Sequence, residues 1–237
     1  MNIKAVIFDI GGVVCGSPFT GIAKYETKYG LPKNYINVAI ASRENGAFQR
    51  LERGELQLEE FYSLFGAELS DPANVDYYRV YAQRRNLRNV TIPEKIHIDG
   101  EELFTQMMRE ALRINPGYLS AIRRLREKGF KVAALTNNYP LTNVSHEKSL
   151  KANFDAYFES SVVGLRKPSP DFYLHACKAL NLLPSEVVFL DDIGMNLKAA
   201  RELGMQTIRV TLGRELEALE KLEMLLGVKL LDFEPKL

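Results

Sequence analysis

Four short stretches of the chain carry side chains suited to chemistry. "IFDIGGVV" presents Asp9 and then Gly11 and Gly12; "LTNN" presents Thr136, Asn137 and Asn138; "LRKPSP" holds Lys167; "VVFLDDIGMN" contains Asp191 and Asp192. A carboxylate can attack phosphorus and form an aspartyl-phosphate. Because carboxylate and phosphate repel, positive charge must accompany them. Lys167 offers a fixed ammonium, and Asp9 with Asp191 and Asp192 suits a hard, oxygen-seeking ion such as Mg²⁺. The Thr136 hydroxyl, the Asn137 amide and N–H groups around Gly11 and Gly12 suit the phosphoryl oxygens. Taken singly, each residue has a plainer reading. Asp9 reads as a strand-end turn former, Thr136 to Asn138 as a cap and turn, Lys167 as a solvated loop lysine, and Asp191-Asp192 as a helix cap. Their joint occurrence at the ends of separate strands favours phosphoryl transfer.

The elements that must position these residues are legible as apolar runs. "IKAVIF", "KVAAL", "EVVFL" and "QTIRV" are near-continuous in Val, Ile, Leu, Ala and Phe, which predicts strands buried on both faces of a parallel sheet. Helical patterns lie between them. Asn115-Pro116 opens one that Gly129 closes, Ser169-Pro170 opens another, and "NLKAARELG" sets Leu197, Ala200 and Leu203 on one stripe before Gly204. Strand and helix in alternation predict an α/β doubly wound, Rossmann-like sheet, with a site at the carboxyl ends of its strands. Residues 17–113 break the rhythm: no comparable strand is present, and helical patterns are punctuated by Pro32, Pro72 and Pro93. This predicts an all-helical insertion after the first strand, with 1–16 and 114–237 forming the α/β domain.

Composition excludes several classes. The 237 residues are 46% hydrophobic and 26% charged, as in a soluble globular protein. A net charge of +1 gives no reason to expect nucleic acid or an anionic membrane as partner. The most basic stretch, "RVYAQRRNLR", reads as a solvated helix face ahead of a substrate-facing patch. Two cysteines, Cys15 and Cys177, make no disulfide framework, and no run approaches membrane-spanning length. The start, "MNIKAVIFD", lacks a signal-peptide pattern, so a cytoplasmic location is expected; the final "PKL" is faintly similar to a peroxisomal address.

The four motifs, in this order, resemble those of the haloacid dehalogenase superfamily of aspartate-nucleophile hydrolases. "PSEVVFLDDIGMNLKAARELGMQTIRV" and "RLERGELQLEEFY" are similar to the N-terminal phosphatase domain of soluble epoxide hydrolases and to related domains of acyl-CoA dehydrogenase fusion proteins. The resemblance spans nearly the whole chain. It implies Asp9 as nucleophile, and Mg²⁺ held by Asp9, the Gly11 carbonyl and Asp192, with Asp191 as ligand or support. Thr136 and Asn137 would bind phosphate, Lys167 would fix the nucleophile, and Asn196 would support the site. The helical insertion would be a cap that selects a small-molecule phosphate ester.

One position departs from that pattern. Phosphatases of the family place a second Asp two residues after the first, as general acid and then base; here it is Gly11. Glu44, Glu52, Glu55 and His97 are the insertion's candidates to replace it. The leading expectation is therefore a Mg²⁺-dependent phosphatase-type hydrolase, slow or restricted to activated phosphate esters. The alternatives are a non-catalytic protein binding a phosphometabolite or protein, and a dehalogenase in which Asp9 attacks carbon.

Overall fold

The computed structural model describes residues 2–139 and 144–231, with the backbone alone for 144–147. The C-terminal "PKL" lies outside these residues. The chain divides into two compact units, residues 1–16 with 114–237, and residues 17–113. The first holds strands β1 (Ala5–Phe8), β2 (Lys131–Thr136), β3 (Ala156–Glu159), β4 (Val187–Asp191) and β5 (Gln206–Arg209). In the second unit lie helices α1 (Pro18–Lys28), α2 (Tyr35–Ala41), α3 (Ala47–Glu52), α4 (Leu58–Ser70), α5 (Asn74–Arg84) and α6 (Gly100–Ala111). Six more belong to the first unit: α7 (Pro116–Glu127), α8 (Val144–Lys151), α9 (Ser160–Val163), α10 (Pro170–Leu180), α11 (Gly194–Glu202) and α12 (Leu216–Leu226).

All pairings in the sheet are parallel, in the order β3-β2-β1-β4-β5. The apolar runs are continuous because both faces of the inner strands are covered. Val6 and Phe8 of β1, Val132 and Ala134 of β2, and Val188 and Leu190 of β4 enter one core with α7 and α12 residues. The alternate residues Ala5, Ile7, Ala133, Leu135, Val187 and Phe189 enter a second core with α10 and α11 residues. A period of two thus feeds two apolar layers. β3 was not signalled by the sequence. It is a four-residue edge strand with only Phe158 buried, so it needs no apolar run. Asn115 caps α7 by accepting from the Gly117 N–H at 3.0 Å, whereas Ser169 makes no side-chain cap on α10.

The helical unit packs through close backbone approaches. A Cβ on Gly100 would lie 2.2 Å from the Tyr62 carbonyl oxygen and 2.7 Å from the Gly66 nitrogen, so α4 and α6 meet through two glycines. Phe61 stacks on Phe65 at 4.7 Å and meets Phe104 edge-on at 4.9 Å, filling the space beside that crossing. Buried Glu26 of α1 accepts the N–H groups of Asn34 and Ile36, satisfying the start of α2. Gly100→Ala must push backbone from backbone, which no rotamer change relieves. It is expected to cost about 1–3 kcal/mol, read as a lower denaturant midpoint; an unchanged midpoint would mean that the crossing yields freely. On α5 and just beyond it, Arg79, Arg84, Arg85 and Arg88 are all exposed.

Candidate active site

The functional side chains gather where the strand order reverses. β1 runs between β2 and β4, and chain progress turns from one side of it to the other, the position at which open α/β sheets form a crevice. Asp9 directly follows β1, Asp191 ends β4, and Asp192 is the next residue. Register pairs Phe8 with Ala134 and with Leu190, so Thr136 at the end of β2 lies on the same carboxyl edge.

Lys167 is the centre of the cluster. Its side chain is 1% exposed, and its Nζ lies 2.8 Å from Asp9 Oδ1 and 2.8 Å from Asp191 Oδ2. Burial works against the ammonium, but the charges of Asp191 and then Asp9 outweigh it and hold the Lys167 pKa above its ordinary value. Asp9 Oδ1 also accepts the Ile10 N–H at 2.6 Å. Burial drives the Asp9 carboxyl well above the usual carboxylate range; Lys167 pulls against this, and Asp191 and Asp192 reinforce it.

The two adjacent aspartates have different surroundings. Asp191 is saturated: Oδ1 accepts from the Ile193 N–H at 2.7 Å and Asn196 Nδ2 at 3.2 Å, and Oδ2 accepts from Lys167 and from Asn196 Nδ2 at 3.0 Å. The Asn196 carbonyl in turn accepts the Tyr173 hydroxyl at 3.0 Å. Asp192 Oδ1 is buried and has no hydrogen-bond partner among the described residues. Burial, then the Asp191 charge, pushes the Asp192 carboxyl up to about 7. One oxygen each of Asp9, Asp191 and Asp192 lies within 4.8 Å of the others. Three carboxylates around one ammonium leave a formal charge of −2 in a buried place, which calls for a further cation. The orphaned oxygen and the all-carboxylate donors fit a hard divalent ion.

Backbone conformation favours glycine at position 12, and the Asp192 carboxyl lies against it. The Gly12 φ is +80°, and a Cβ there would stand 2.4 Å from Asp192 Oδ2. Gly11 does not share the positive φ. The Thr136 hydroxyl lies 3.5 Å from the Asn137 carbonyl oxygen, too long to bind it firmly. Both ends of the Asn137 amide bind the Lys167 main chain: Nδ2 donates to the Lys167 carbonyl at 3.0 Å, and Oδ1 accepts the Lys167 N–H at 2.8 Å. Asn138 reaches the other way, its N–H donating to Ser160 Oγ at 2.9 Å and its Nδ2 to Glu159 at 2.7 Å. These two asparagines sew the loop after β2 to the segment after β3, a role that residue spacing does not signal. In the helical unit, Glu44, Glu55 and His97 are exposed, Glu55 pairs with Arg53, and Glu52 is buried.

Sheet and cluster define a Rossmann-like α/β protein with an acidic, lysine-bridged centre. A family model of haloacid dehalogenase-like hydrolases matches residues 3–204, and the chain belongs to that family of hydrolases. It is 34% identical over 231 residues to mouse acyl-CoA dehydrogenase family member 10, covering 97% of this chain and 20% of that one. Bifunctional epoxide hydrolase 2 of Sus scrofa is 33% identical over 242 residues, 98% of this chain and 40% of its own. The chain thus spans two fifths or less of these relatives. A sesquiterpene phosphatase of Aspergillus oryzae is 26% identical over 217 residues, 89% of this chain and 91% of its own. Among solved structures, a haloacid dehalogenase family enzyme of Bacteroides thetaiotaomicron, in complex with magnesium and inorganic phosphate, shares the fold. Its TM-score is 0.56 at 21% identity, over 92% of this chain and 98% of its own.

Proposed function

We propose that this chain is a Mg²⁺-dependent phosphatase-type hydrolase of small-molecule phosphate esters, with Asp9 as the phosphoryl acceptor. The observation that carries the reading is the buried acidic cluster of formal charge −2, with the unpartnered Asp192 oxygen beside the Lys167-bridged Asp9. Asp9, Asp192 and the Gly11 carbonyl would hold the ion, with Asp191 supporting from behind, since its four hydrogen bonds already occupy it. Bound Mg²⁺ would neutralise the carboxylates and polarise a phosphoryl oxygen. Lys167 keeps Asp9 oriented and screens its charge from the incoming phosphate. The Thr136 hydroxyl, only loosely placed against the Asn137 carbonyl, and the N–H groups of Gly11 and Asn137 would receive the phosphoryl oxygens, since the Gly12 N–H already donates to the carbonyls of Cys15 and Gly16. Residues 17–113 take the part of a cap that selects the leaving group. The relative named as a sesquiterpene phosphatase, which matches along nearly its whole length, supports the same chemistry.

The test is phosphate release over a panel of aryl, acyl and alkyl phosphates, with Mg²⁺ and with chelator. Turnover of at least the aryl member with Mg²⁺ alone is expected. No Mg²⁺-dependent release across the panel would sink the reading and favour a binding protein, and halide release from a 2-haloacid in chelator would favour attack on carbon.

Asp192 makes ion binding depend on pH. Its carboxyl moves from an ordinary 3.8 to about 7 in the ion-free fold, so the folded chain holds a proton there between those values that the unfolded chain has lost. That stability is fully present at low pH and disappears as pH rises through about 7. Mg²⁺ must displace the proton below that value and meets a bare carboxylate above it. The rise in melting temperature on adding Mg²⁺ is therefore expected to be larger at pH 8 than at pH 6. An equal rise at both would remove Asp192 from the ion site.

A further inference from the structure

We infer that Asn137 is a positioning residue for Lys167, acting through the lysine's main chain, and that its side chain is not a phosphate ligand. The observation is the two-point clasp. Asn137 Nδ2 donates to the Lys167 carbonyl at 3.0 Å, and its Oδ1 accepts the Lys167 N–H at 2.8 Å. The pairing fixes which amide atom is which, because the carbonyl can take only the NH₂ group and the N–H only the oxygen. The amide, held at both ends by the main chain of one residue, keeps one hydrogen and one oxygen lone pair in directions that the clasp fixes, and it cannot swing toward a substrate without breaking the clasp.

The clasp has a clear task. Lys167 lies in the segment beyond β3 and α9, with no strand to fix its height, yet its Nζ must reach two carboxylates at 2.8 Å each. Asp9 and Asp191 are anchored by β1 and β4, whereas the Lys167 backbone is anchored by a residue that directly follows β2. Asn137 thereby ties the third corner of the cluster to the same sheet. Asn138, the next residue, fastens the start of that segment through Ser160 and Glu159, so the two asparagines hold it at two places. Without Asn137 the ammonium loses its fixed distance to Asp9, and a displacement of about 1 Å at such a group costs about 10²-fold in rate.

Two measurements on Asn137→Ala and Asn137→Asp decide the matter. The kinetic one rests on the phosphatase reading: turnover of an aryl phosphate with Mg²⁺, and inhibition by inorganic phosphate. The other does not: amine acetylation of Lys167, followed by mass spectrometry, with exposed Lys198 as internal standard. Lys167 in the parent chain, 1% exposed, should resist labelling that Lys198 at 75% undergoes readily. In Asn137→Ala, kcat is expected to fall about 10²-fold with KM and phosphate inhibition within about twofold, and Lys167 labels several-fold faster. Asn137→Asp keeps the acceptor for the N–H but offers the carbonyl no donor, so it should fall between, and it serves if the alanine variant does not fold. A rise in KM and in the phosphate inhibition constant with kcat and labelling unchanged would make Asn137 a phosphate ligand and overturn the inference. Unchanged labelling together with unchanged kinetics would overturn it as well. If the parent chain turns over no substrate, the phosphatase reading fails by itself, and the labelling alone still supports or overturns the clasp.

Discussion

Asp9→Asn is expected to lower Mg²⁺-dependent phosphate release by about 10⁴-fold or more, in the range seen when a covalent nucleophile is removed. The substitution keeps the shape of the side chain, so the Ile10 N–H and Lys167 Nζ still face an oxygen where Oδ1 stands now. On the proposed mechanism, what disappears is the charged oxygen that would attack phosphorus, and one of the carboxylates that would draw a divalent ion. Lys167 does not become an isolated buried charge, because Asp191 remains 2.8 Å away. The Asp9 carboxyl is driven upward chiefly by burial, which means that its charged form is costly in this fold. Replacing it with a neutral amide removes that cost, so the melting temperature without Mg²⁺ should hold or rise while activity vanishes. The two readings together are diagnostic: a stable, inactive variant assigns Asp9 to the chemistry, whereas residual turnover within about tenfold of the parent would give the nucleophile to another group.

How much of this site can be read from residue order follows from how each part is held. Strand ends are legible, since β1, β2 and β4 are buried on both faces and announce themselves as apolar runs that stop at Asp9, Thr136 and Asp191. β3 stays hidden because a half-buried edge strand carries no such run. The division between Asp191 and Asp192 is hidden too: the residues are identical and adjacent, and only the donors around them make one saturated and the other open. The same holds for Asn137, whose partner lies 30 residues further along the chain. The glycine crossing of α4 and α6 depends on two residues from separate helices, and spacing within either helix gives no sign of it.

Gly11→Asp is expected to raise the rate on alkyl phosphates by about 10²–10⁴-fold, the usual worth of a positioned general acid–base group, or about 3–5 kcal/mol of barrier. The φ at position 11 does not demand glycine. Of the two consecutive glycines, Gly12 takes a φ of +80° and has Asp192 against its Cβ position, while Gly11 takes no positive φ. A carboxyl at position 11 would be two residues beyond Asp9, where a proton could be given to a departing alkoxide and later taken from water. The chain as it stands should separate the two half-reactions by leaving group. On the proposed mechanism, attack of Asp9 on an aryl phosphate would break the phosphorus–oxygen bond and release the aryloxide as an anion, needing no proton. Water would then have to attack the phosphorus of the aspartyl-phosphate, and its proton would find no carboxyl at position 11 to receive it. The parent chain should therefore release one equivalent of phenol in a burst and then turn over slowly, and Gly11→Asp should abolish the burst by quickening the second step. Rapid-quench measurement of phenol and phosphate in both proteins tests this directly. If the variant binds Mg²⁺ as the parent does, yet leaves alkyl turnover within about twofold and the burst unchanged, proton transfer is supplied from elsewhere and Gly11 does not limit this enzyme.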